Sequence, residues 1–206
     1  MKNKNIIIIS IVLIMAGLIL AEFFVFKQDK PLDVNKNDNY TQEGDSLDTE
    51  QMENKLVTDN FSLNLPAGWI KTDAIEGVTA MAINSKENIT DPAAKAINFK
   101  TYIAVSEDIL NGKSLKEYMQ IVKDGLRETI SNVIFSNENE VVINERPAYA
   151  MEANLTQQNV NFKVLMVAVQ GEGDDVWVIS FNTIAGNWAD YENIFSNIAN
   201  SFTLKK

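Results

Sequence analysis

From Val133 to Thr183 the chain repeats one arrangement: a run rich in apolar residues, then a short cluster of turn formers. The runs are Val133–Ile143, Ala148–Thr156, Val160–Gln170 and Val176–Thr183. Asn144-Glu145-Arg146-Pro147, Gln157-Gln158-Asn159 and Gly171-Glu172-Gly173-Asp174-Asp175 separate them. Connections this short suit hairpins, since a crossover between parallel strands needs a dozen residues or more. The segment therefore predicts successive antiparallel strands, and any fold for the chain has to be built around them.

The remaining patterns fit beside that sheet. Phe61, Leu63 and Leu65 alternate with Ser62 and Asn64, the period of a half-buried strand. Pro66-Ala67-Gly68 breaks it, and Trp69 is expected to begin a return strand. Further strands are expected at Val78–Ile83 and Ile97–Val105, the second alternating Phe99, Thr101, Ile103 and Val105. Ser114-Leu115-Lys116-Glu117 has the form of a capping box, opening a helix to about Ile130. Leu115, Tyr118, Val122 and Leu126 form its apolar stripe. A last helix, Asn187–Asn200, carries Trp188, Tyr191, Phe195 and Ile198 on one face, and Ser201–Leu204 follows it. Helices with apolar stripes set among antiparallel strands predict an α+β fold, a central sheet flanked by helices.

Three segments of different character follow from the N-terminus. Residues 1–26 are expected to form a signal anchor: Lys2 and Lys4 precede an uncharged run from Ile6 to Ala21, interrupted only mildly by Ser10 and Gly17, and after Glu22 the apolar character resumes to Phe26. At about 1.5 Å per residue that run is long enough for a bilayer core of about 30 Å. Cleavage after Ala21 would leave Phe23, Phe24, Val25 and Phe26 at a free end, so retention as one transmembrane helix is expected. Residues 27–57 are polar and acidic with sparse, aperiodic apolar residues, and are expected to be a flexible linker. Residues 58–206 carry the globular pattern.

Composition excludes several chemistries. The 206 residues contain no cysteine and no histidine, so thiol chemistry, disulfides, imidazole metal sites and a Ser-His-Asp triad are absent. A net charge of -10 argues against nucleic acid as a partner. Glu172, Asp174 and Asp175 superficially resemble a calcium loop, but calcium takes six to eight oxygens closed by a distal glutamate, and a plain hairpin turn is expected. Glu138 and Glu140, with Glu145 and Glu152, are the carboxylates from which an acid–base pair would have to come. Positions i and i+2 of a strand share a face, here expected to be solvated. Trp69, Trp177 and Trp188 lie in apolar patterns and are expected in the core. No catalytic, metal or cofactor residue is assigned.

The order of FSLNLPAGW, SLKEYMQIVKDGL, EVVINERPAYAMEANL, paired long strands and a final helix ending in NSFTL resembles the PsbP-like family, over roughly residues 60–204. The resemblance implies an α/β/α sandwich. Plant and cyanobacterial members are extrinsic subunits at the lumenal side of photosystem II, and many relatives are anchored or secreted proteins. No functional residue of the family maps onto a position here. The resemblance also tips the expected orientation, with the domain extracytoplasmic, on a single-pass anchor in the cell membrane. The expected function is a non-catalytic binding or assembly module with a protein partner at the membrane surface and no cofactor. The alternative is a carboxylate-based or metal-dependent enzyme on the same scaffold.

Overall fold

The computed structural model describes residues 54–205. The anchor expected at 1–26 and the linker up to residue 53 lie outside the described residues. Among the described residues no helix is long and apolar enough to cross a membrane.

The antiparallel succession expected from the sequence is β6 (Ile134–Ile143), β7 (Arg146–Gln157), β8 (Val160–Gln170) and β9 (Asp175–Ile184), each paired with the next. Two of its turns are two-residue loops with both φ angles positive: Asn144 (45°) with Glu145 (67°), and Gln158 (49°) with Asn159 (62°). Such turns match the right-handed twist of the strands they join. Pro147 enters β7 without penalty. It sits opposite Val142, one step beyond the Ile143–Arg146 pair that closes the turn, where its nitrogen points away from β6. Its β8 pairing begins only at Ala148.

Three more strands extend the sheet past β9: β5 (Tyr102–Ile109), β4 (Ala80–Asn84) and β3 (Trp69–Thr72). The order is β3-β4-β5-β9-β8-β7-β6, with every neighbouring pair antiparallel. Helix α1 (Pro92–Ala96) and helix α2 (Leu115–Thr129) belong to the core on one face. Helix α3 (Trp188–Asn200), entered through a 3-10 turn at Ala185–Asn187, belongs to the core on the other. A small sheet, β1 (Asn54–Val57), β2 (Phe61–Leu65) and β10 (Thr203–Leu204) in the order β1-β2-β10, shares that second core.

Three expectations are corrected. Trp69 does not return along β2, because β2 pairs with β1 and β10 instead. The Pro66–Gly68 turn, with Gly68 at φ 91°, carries the chain out of the small sheet and into the edge of the large one. The linker does not extend to residue 57: Leu56 is fully buried opposite Leu63, so the folded unit already includes Asn54–Val57. Composition hid this, since one buried leucine among Asn54, Lys55 and Val57 carries too little apolar signal. The strand expected from Ile97 begins at Tyr102. Asp91 caps α1 through the Ala94 N–H with Pro92 in the first turn, and Asn98 at φ 51° turns the chain out of it.

The two helical layers follow their stripes. Ser114 and Glu117 form the reciprocal capping box, with Ser114 N donating to Glu117 Oε2 at 2.8 Å. Tyr118, Met119, Val122 and Leu126 are buried against one sheet face. On the other, Phe195 is fully buried, 5.1 Å from the Phe181 ring and 6.5 Å from Trp69. Trp69, Trp177 and Trp188 are all buried in this second core.

Candidate functional site

Of the four candidate carboxylates only Glu138 and Glu140 come together. Strand β6 carries a bulge between Ser136 and Asn139, with Asn137 at φ 53°. Beside it, Lys123 Nζ of α2 holds both Glu138 oxygens, at 2.7 and 2.9 Å. The Tyr149 hydroxyl donates to Glu138 Oε2 at 3.4 Å, and Glu140 lies directly across from Tyr149 on β7. Burial, then the Glu138 carboxylate, raises the Tyr149 phenol above its ordinary value, so at neutral pH it is a donor and not a base. The sequence-predicted pair Glu138 and Glu140 is thus brought around one tyrosine.

Glu145 and Glu152 are elsewhere. Glu145 sits in the β6–β7 turn. Glu152 is three residues from Tyr149 along β7 and so faces the opposite side of the sheet. There Lys163 Nζ lies 2.8 Å from Glu152 Oε2 and 4.1 Å from the centre of the Trp188 ring. This is an ion pair by distance, with no hydrogen bond aligned on Oε2. The glycine-rich turn is likewise divided among partners. Glu172 pairs with Arg146, while Asp174 Oδ1 accepts from Gly112 N at 3.0 Å. Asp175 N donates to Glu172 O at 3.0 Å, which closes the hairpin. Among the described residues no group of three or more acidic side chains is arranged to hold a metal ion.

Two polar clusters escaped sequence reasoning because their members sit on different elements, which only the packing brings together. Glu87 accepts from Thr101 N (2.6 Å), Thr101 Oγ1 (2.8 Å) and Asn187 Nδ2 (3.3 Å), and Thr101 Oγ1 meets Thr183 Oγ1 at 2.8 Å. Nearby, burial and then Glu87 push the Tyr191 hydroxyl up to about 12. Beneath α2, the Tyr118 hydroxyl donates to Asp108 Oδ2 at 2.8 Å, and burial raises the Asp108 carboxyl above its ordinary value. Both clusters staple loops or helices to the sheet.

An open groove of about 410 Å³ runs between the end of β2 and α3. Leu65, Pro66, Ile194 and Ile198 give it an apolar wall, with Asn64 and Ser201 at the rim. The Asn64 N–H donates to Ser201 Oγ at 2.9 Å, which ties the rim together. The second exposed feature is the free edge of β6, where Val142 is 68 % exposed beside exposed Pro147. A sequence signal for it exists: Val141-Val142-Ile143 breaks the period of two, so one of the three has to face away from the core on that side.

A seven-stranded antiparallel sheet between helices, with one helical layer completed by a small sheet, defines an α/β/α sandwich. The fold is PsbP-like. Cyanobacterial PsbP from Synechocystis sp. PCC 6803 is similar with a TM-score of 0.56 at 13% identity, covering 79% of this chain and 98% of that one. LpqN of Mycobacterium tuberculosis, described as involved in cell envelope biogenesis, is similar with a TM-score of 0.55 at 11% identity, over 75% of this chain and 91% of that one. The Saccharomyces cerevisiae Ran-binding protein Mog1p is similar with a TM-score of 0.52 at 15% identity, over 74% and 96%. Among curated proteins, the LPS-assembly protein LptD of Francisella tularensis subsp. novicida is 21% identical over 142 residues, 67% of this chain. The chain spans 16% of that protein's length. No family model matches.

Proposed function

We propose that the chain is a membrane-anchored, extracytoplasmic binding or assembly module without catalytic activity, held at the cell envelope by residues 1–26. The observation that carries this reading is the dispersal of its carboxylates. Glu138, Glu152 and Glu172 each face a different cation, on different parts of the domain. Acid–base chemistry needs two such groups aimed at one reacting bond in a cleft, with environments that split their pKa values. What the surface offers instead is a shallow apolar groove and an open sheet edge, features suited to contact with another protein. The description of LpqN and the partial match to LptD point toward the envelope as the place of action.

Co-purification of the full chain from detergent-solubilised membranes, after brief crosslinking, tests the reading. A stoichiometric protein partner, recovered by the wild type and lost when residues 54–205 are replaced by an unrelated domain on the same N-terminal segment, is the expected result. Turnover of a small molecule by the purified chain, abolished by Glu138→Gln in a protein that remains folded, would replace it with the enzyme reading.

A further inference from the structure

Strand β6 ends the large sheet, and among the described residues nothing pairs with its outer side. The bulge at Ser136–Asn139 divides it, leaving Asn139–Ile143 as a regular ladder on β7. In a two-residue hairpin the pair flanking the loop, here Ile143 and Arg146, exchanges hydrogen bonds with its partner strand. Alternation then turns the N–H and C=O groups of Val142 and Glu140 outward, away from β7. Unpaired backbone of this kind is a template for strand addition.

The side chains beside that template say what it takes. Glu140 and Val142 are two apart and share a face. Val142 and Pro147, paired across the hairpin, form an exposed apolar shelf. Glu140 stands next to it, and among the described residues it belongs to no ion pair, whereas Glu138 is neutralised by Lys123. A second copy of the chain is a poor occupant. Two-fold pairing about Glu140 sets that carboxylate against its own counterpart, and pairing about Val141 sets it against Val142 with no cation to meet it, on a chain of net charge -10. Like charges directly opposite in a sheet are destabilising.

We propose that the Asn139–Ile143 edge of β6 accepts an added strand from a protein partner: a basic extended segment with an apolar residue two positions from a lysine or arginine. The apolar side chain rests on Val142, which Pro147 backs from β7, the cation on Glu140, and the main chain completes the ladder. This rests on the binding-module reading and names the chemistry of its partner.

The probe is a fluorescein-labelled threonine nonapeptide carrying one valine and, two positions along, one lysine, titrated against the full chain in neutral detergent micelles. Saturable binding is expected, weakened about tenfold by Glu140→Lys. A peptide with glutamate in place of the lysine is expected to bind the Glu140→Lys variant in preference to the wild type, which shows the variant is folded. N-methylation of the valine and lysine amides should abolish binding. No saturable binding, or binding left undiminished by either N-methylation or Glu140→Lys, overturns the proposal. In co-purification, a partner recovered equally by wild type and Glu140→Lys would dismiss the β6 edge while leaving the module reading standing.

Discussion

Lys163 and Glu152 face each other on the α3 side of the sheet, with side chains 19% and 8% exposed. Breaking such a pair leaves one charge without its partner in a poor solvent. Lys163→Ala is expected to cost about 3 kcal/mol in urea unfolding, and the double change Lys163→Met, Glu152→Leu to recover most of it. Recovery would fail if the pair were stabilising beyond the packing it occupies. Asp108 gives a prediction of opposite kind. Burial raises its carboxyl above 3.8, so its contribution to stability is present below that value and lost as pH rises through the folded-state pKa. Asp108→Asn never ionises. Its stability relative to the wild type should therefore be higher at pH 7 than at pH 3, and a difference that falls with pH would contradict the assignment. At this scale the sequence disclosed little. Alternation placed Glu138 and Glu140 together, but the Asn137 bulge and the Lys123 partner depend on helix-to-strand packing, which no local pattern encodes.

Elements were more legible, because period and capping are local properties. The β6–β9 succession, the Ser114 capping box and the α3 stripe all stand where hydrophobic spacing puts them. What local pattern could not supply was pairing. FSLNL reads as a strand in isolation, but its partners are a four-residue strand before it and a two-residue strand at the chain's far end. Three short elements, β1, α1 and β10, have too few residues for a period. One consequence is measurable. A chain beginning at Thr58 loses the fully buried Leu56 and bares the edge of β2. It should be less stable by about 2–5 kcal/mol than one beginning at Gln51, and more prone to associate, as thermal melts and light scattering would report. Equal melting points would mean that β1 is an ornament on the sheet. Phe195→Ala, in the centre of the α3 layer, is expected to cost about 3–5 kcal/mol on the same measure.

At the scale of the molecule, one sheet separates two cores, and among the described residues two features suited to contact are the β2–α3 groove and the free edge of β6. The fold class and its likeness to PsbP were readable from element order. The contact surfaces were not, since exposure is decided by which strands end the sheet. The proposed function joins this domain to an N-terminal anchor that would hold it outside the cytoplasm, a placement that would decide which partners it can meet. The direct measurement is external protease on intact spheroplasts, followed by intact-mass analysis of the chain in the membrane fraction. The account predicts a chain that retains residues 1–26 before digestion and loses the domain to protease added from outside. A mature chain beginning at Glu22, or a domain that resists protease until the cells are lysed, would contradict it.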